Sequence, residues 1–171
     1  MERNAYTVNF KWNATVWIVT SALILFFTVM AGAMLFYAIR DHDVTALVGL
    51  FAVSIIGSGV IFVSEGYSPQ CLEIGDESLV VVRRYSDIVI RRSEIVSVEP
   101  VAGGKIRLAV CMGGSCGLFG FFGRYHAKGI GGFDMYATRY DNLFLITTLR
   151  NKYVVSCAEP ERLAHYSDIR S

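Results

Sequence analysis

A helical membrane hairpin followed by a mainly β domain is the fold class this sequence predicts, on three observations. Two uncharged apolar runs, 14–38 and 44–64, stand five residues apart. After about Tyr67 the chain breaks into short β-branched runs separated by turn residues. The 171 residues are 53% hydrophobic and 18% charged, whereas soluble domains carry about 25% charged residues. The formal charge of +1 gives no global attraction for nucleic acid or an acidic polymer.

The first 13 residues read as a short cytoplasmic segment ahead of the membrane. Run 14–38 (ATVWIVTSALILFFTVMAGAMLFYA) and run 44–64 (VTALVGLFAVSIIGSGVIFVS) each reach the roughly 20 apolar residues that a helix needs to span the hydrocarbon core. Trp12, Trp17 and Tyr37 lie near the ends of the first run, at the level that amphipathic rings prefer. Ala31-Gly32-Ala33 looks like a signal cleavage site, but signal h-regions hold only about 7 to 15 residues and this run continues past it. The 39–43 link (IRDHD) is an external loop so short that the helices must be antiparallel. Ser54, Ser58 and the nearby Gly57 are small enough for close packing on a neighbouring helix. Neither run holds an acid or base of the kind transporters and proton relays use, so the hairpin reads as an anchor. Arg3 and Lys11 precede it, and Arg40 in the loop is offset by Asp41 and Asp43. The positive-inside rule then places both ends and the 67–171 domain in the cytoplasm, on a multi-pass membrane protein.

The domain's strands are expected at 71–74 (CLEI), 79–83 (LVVVR), 87–90 (DIVI), 95–98 (IVSV), 105–112 (KIRLAVCM), 132–139, 143–149 and 153–156. Arg150-Asn151-Lys152 makes a hairpin turn between the last two. Residues 159–166 (EPERLAHY) form a helix, with proline at its first turn and acids at the positive end of its dipole. Its stripe of Leu163, Tyr166 and Ile169 suits a lid on an open barrel. Ile90, Val98, Phe133, Leu145, Ile146 and Val154 are the expected core, and 67–171 is expected to fold by itself.

Residues 92–99 (RSEIVSVE), 117–123 (GLFGFFG), 135–138 (MYAT), 145–148 (LITT) and 153–156 (YVVS) with 159–161 (EPE) follow one another in an order that resembles the bacterial pleckstrin-homology-like (PH-like) domains. The resemblance covers about 67–166. It implies a barrel of about seven antiparallel strands with a C-terminal helix, commonly behind a hairpin anchor, and no known catalytic centre or cofactor. Lipid-binding eukaryotic relatives hold phosphoinositides with basic residues around the first hairpin. Here that turn is Gly75-Asp76-Glu77, so no specific phosphoinositide site is expected. Arg83, Arg84, Arg91 and Arg92 lie further on, within reach of phosphates, and read as solvated surface charges.

The chemistry-bearing residues point away from catalysis. The glycines of 116–126 (CGLFGFFGRYH) lack the Lys-Ser/Thr pair of a phosphate loop and the helix after it. Ser115 sits outside any nucleophile-elbow pattern, and His126 and His165 have no carboxylate at motif spacing. Cys111 and Cys116, with His126 nearby, are the alternative: a redox or metal-dependent protein, although one close cysteine pair falls short of four zinc ligands. Reduced, buried cysteines are the plainer reading. The aromatic stretch divides between domain core and exposed contact surface. On the second reading Leu118, Phe119, Phe121 and Phe122 form an apolar tip backed by Arg124 and Lys128, facing the bilayer, a protein partner or a second copy. The function expected is a membrane-anchored, non-catalytic binding or assembly module.

Overall fold

The two apolar runs form helices longer than the runs themselves in the computed structural model, which describes residues 6–167. Helix α1 covers Ala14–Arg40 and α2 covers Val44–Tyr67. Asn13 caps α1 by accepting from the Val16 N–H at 2.9 Å, and Asp43 caps α2 by accepting from the Thr45 N–H at 2.8 Å. Three residues reverse the chain between them, with His42 in the left-handed region at φ 49°. The helices pack along each other through Gly57, where a Cβ would stand 2.9 Å from the Phe27 ring. Ser54 and Ser58 are exposed, so Gly57 makes the close approach. In their most apolar stretches 6% and 11% is buried, unlike the core helix of a soluble protein. Both are long and apolar enough to cross a membrane.

The β domain begins ahead of the helices. Strand β1 (Tyr6–Asn9) pairs antiparallel with β2 (Pro69–Ile74), which continues into β3 (Ser78–Arg83) and β4 (Ile88–Arg91), giving a four-stranded sheet. The 6–9 strand was not expected from sequence. After a single 3-10 turn at Arg92–Glu94 come β5 (Ile95–Val101), a five-residue helix α3 (Gly103–Arg107), β6 (Val110–Cys116), β7 (Phe121–Ala127), β8 (Gly131–Ala137), β9 (Leu143–Thr148) and β10 (Lys152–Ser156). They make a second sheet in the order β5-β9-β10-β8-β7-β6. Helix α4 (Pro160–Ser167) packs on β5 and buries Leu163. The Tyr166 side chain and Ile169, the rest of the expected stripe, lie outside what is described.

Three expectations are corrected. The described residues hold ten strands in two sheets where about seven were expected. The ladder is not wholly antiparallel, because β10 runs parallel to β8. The strand expected at 105–112 is instead α3 followed by the start of β6, because Lys105, Ile106 and Arg107 continue the turn that the Ala102 carbonyl opens.

The second sheet is buried on both faces, and its strands alternate between two cores. Tyr136, Phe144, Ile146 and Val155 face the first sheet, where Leu72, Leu79, Val81 and Ile90 meet them. Met135, Ala137, Leu143 and Val154 face the other way, under Val16 of α1 and Ile106 of α3. Of the expected core residues, Ile90, Val98, Phe133, Ile146 and Val154 are buried and Leu145 is half-buried.

Candidate functional site

The 117–120 turn between β6 and β7 is the part of the domain that meets both helices. Gly117 N–H donates to the Gly120 carbonyl at 3.0 Å, and Phe119 sits at φ 56°. The Phe119 N–H donates to Thr20 Oγ1 of α1 at 3.1 Å, and Ser68 Oγ, just past α2, donates to the Phe119 carbonyl at 2.6 Å. The Phe119 ring meets Trp12 edge-on at 5.7 Å, and Trp12 meets Trp17 at 5.0 Å. A second clasp holds the end of α2. Tyr85 lies against Gly66, its N–H donating to the Gly66 carbonyl at 3.1 Å, and Arg84 pairs with Glu65 at 2.5 Å.

The residues singled out in the aromatic stretch do not gather in one place. Leu118 and Phe119 are half-buried at the turn. Phe121 and Phe122, at 2% and 8% exposed, enter the two different cores because neighbours on a strand face opposite ways. Arg124 is exposed and tied to Asp134 at 3.2 Å and Asn151 at 2.9 Å. Lys128 lies beyond the far end of β7, roughly 23 Å along the chain from Phe121 at strand spacing.

Cys111, Cys116 and His126 are likewise spread along β6 and β7. A bulge between Cys111 and Gly113 brings the Cys111 thiol beside Cys116 and Tyr125, and all four cysteines are free. Tyr125 donates to the Ser115 carbonyl at 2.5 Å. Burial, with Cys111 adding to it, pushes the Cys116 thiol up, and burial does the same to the Tyr125 phenol. Thiols held protonated are poor nucleophiles and poor metal ligands. His126 is exposed. Among the described residues no three His, Cys, Asp or Glu side chains converge in a metal-binding group.

A cleft of about 310 Å³ opens where the end of α2 faces the second sheet, lined among others by Ser64, Tyr67, Arg83, Ser115 and Tyr136. Its floor is bare backbone at Gly114 and Gly123. Both have positive φ (125° and 111°), and a Cβ on either would strike the opposite strand's carbonyl oxygen at about 2 Å. Arg83, at the end of β3, has its guanidinium 5.6 Å from the Tyr67 ring centre and 5.4 Å from that of Tyr136. Its Nε donates to the Ser86 carbonyl at 2.6 Å and Nη2 to Ser86 Oγ at 2.9 Å. Burial pushes the Tyr136 phenol up, against the pull of Arg83. Sequence reasoning placed Arg83 among solvated charges; the structure makes it half-buried and stacked. The one local signal is its place at the end of a valine-rich strand, since its ring partners lie 16 and 53 residues away. Under the first hairpin, by contrast, a wide hollow mixes Asp76 and Glu77 with Arg91 and Arg92.

A comparison with family models matches residues 71–168 to the bacterial PH domain. Comparison with curated proteins and with solved structures gives no match. The matched span runs from within β2 through α4, includes the 117–120 turn, Arg83 and the Arg84 and Tyr85 side of the clasp, and takes in more than half of the chain: this is a member of the bacterial PH domain family.

Proposed function

We propose that this protein is a membrane-anchored binding module without catalytic activity, its PH domain held flat on the cytoplasmic face of a bacterial inner membrane. The observation that carries the reading is the double attachment. Val16 is fully buried in a domain core, Thr20 bonds the 117–120 turn, and Ser68 bonds the same turn from the other helix. A cleaved signal segment does not fit this arrangement, since cleavage near Ala33 removes a strand and a core residue. Lys11 and Arg83 lie toward the domain end of the helices without an ion pair among the described residues, whereas Arg40 in the loop pairs with Asp41 at 3.8 Å and Arg84 with Glu65 at 2.5 Å, which favours the domain inside. Leu118 and Phe119, at the membrane side, are the part of the expected apolar tip available to lipid. Arg124 on β7 and Lys128 beyond its far end are left for a protein partner or a second copy, with no phosphoinositide selectivity expected.

Labelling tests the topology. His42→Cys, in the loop, is expected to react with a membrane-impermeant maleimide in intact spheroplasts. Leu149→Cys, in the exposed last hairpin turn of the domain, is expected to react only after permeabilisation. The reverse pattern overturns the orientation, and complete extraction of the protein by alkaline carbonate overturns the anchor.

A further inference from the structure

Height along the helices gives the Arg83 cleft its meaning. About 20 helical residues cross roughly 30 Å of hydrocarbon. Counted from the 41–43 reversal, that crossing ends near Thr20 on α1 and Val63 on α2. Ser64 and Tyr67 therefore lie just past the hydrocarbon, at headgroup level. The exposed rings of Trp17, Tyr67 and Tyr85 (59%, 42% and 53%) mark the same level. The cleft opens there, with Val63 on its lipid side.

Among the described residues no carboxylate lines the cleft beside its cation, and Asp87, the nearest to Arg83 in the chain, accepts from the Arg83 backbone N–H at 3.0 Å outside that lining. Glu65, beside it in sequence, is engaged with Arg84. The two bonds to Ser86 use Nε and Nη2 of Arg83 and hold the guanidinium in place, while Nη1 has no hydrogen-bond partner among the described residues. A half-buried guanidinium with donors to spare is matched by a phosphate. The Tyr67 and Tyr136 rings, which could otherwise hold the ammonium of a zwitterionic headgroup, are already faced by Arg83, and no carboxylate lines the cleft to replace them.

We propose that this cleft binds the phosphodiester of an anionic phospholipid from the adjoining leaflet. Arg83 supplies charge and donors, Ser64 supplies a hydroxyl, and an acyl chain runs down past Val63 along α2. The site is separate from the acidic first hairpin, and the proposal rests on the membrane-anchored reading above.

The test uses the full chain, released from membranes in mild detergent and offered phosphatidylglycerol or phosphatidylcholine. Bound lipid is counted by native mass spectrometry. Wild type is expected to retain one phosphatidylglycerol in preference to phosphatidylcholine, by about tenfold. Arg83→Gln is expected to abolish the preference. Because Arg83 also braces the Ser86 turn, Ser64→Phe serves as a second variant that fills the cleft and leaves the arginine in place; it should abolish the preference too. Preference unchanged in both variants overturns the proposal, as does an absence of preference in wild type. Displacement of the lipid by millimolar inorganic phosphate, with phosphate itself bound, overturns the lipid as the source of the anion. Carbonate extraction of the same membranes separates the two readings. Protein that stays in the pellet but shows no lipid preference sinks only this inference, and protein that is extracted sinks the anchor.

Discussion

Phe121 and Phe119, two positions apart in one glycine-rich stretch, have opposite energetics. Phe121 fills a core, so Phe121→Ala should cost about 3 to 5 kcal/mol. Phe119 is half-buried in a left-handed conformation. Glycine there gives up an aromatic edge contact worth about 0.5 to 1.5 kcal/mol and about 1 kcal/mol of apolar burial but relieves backbone strain of about 1 to 2 kcal/mol. Phe119→Gly is therefore expected to cost at most about 1.5 kcal/mol, well below Phe121→Ala, read from melts of the full chain in detergent. Thiol ionisation gives a second prediction. Burial raises the Cys157 thiol above its ordinary 9.0, and burial likewise raises Cys71 and Cys116. Above that pH the unfolded chain sheds protons that the folded chain keeps, so this contribution is complete below pH 9 and lost as pH rises. The melting midpoint under reducing conditions should fall between pH 8 and about pH 10, and Cys157→Ala should flatten that fall; an unchanged slope in this variant counts against the assignment.

Elements were legible where the signal is local. The two helices follow from uncharged runs, and β3, β5, β9 and β10 follow from β-branched alternation, because each pattern is contained in a few consecutive residues. β1 was not legible: Tyr6-Thr7-Val8-Asn9 becomes a strand only by pairing with β2 more than 60 residues on. α3 was missed because the Lys-Ile-Arg-Leu run suits either state and only Ile106, buried over the second sheet, decides. The aromatic stretch was legible as a tight turn, but its environment was not. The argument that neighbouring rings cannot share one small core is sound, and the molecule has two cores. A consequence at this scale concerns the fragment 67–171. It lacks Val8 and Val16 and leaves both the β2 edge and the second core uncovered. Expressed alone it is expected to aggregate or to give poorly dispersed amide spectra; a dispersed monomer would show that β1 and α1 are dispensable.

At the scale of the whole molecule, anchor and domain are one mechanical body. Ser68 follows α2 directly and bonds Phe119, and only four residues separate β1 from α1. Inserting four Gly/Ser residues after Tyr67 breaks that geometry together with the Tyr85 and Arg84 clasp. The melting midpoint of the full chain should drop by roughly 5 to 10 °C, whereas the same insertion between the exposed Lys128 and Gly129 should leave it within about 2 °C. An equal drop at both sites would mean that the seam carries no special weight.

The directness of that join also sets the protein's working radius. A tethered domain on a flexible linker of n residues sweeps roughly 5 to 6 Å times the square root of n, and can fish for partners well above the bilayer. Here the linker after α2 has no length, so the sweep is essentially nil. Whatever binds the distal face must come to a fixed height and meet it in a fixed orientation. With the domain anchored as proposed, encounters are confined to a thin layer over the membrane, where a partner that is itself membrane-bound is present at far higher local concentration than one diffusing through the cell.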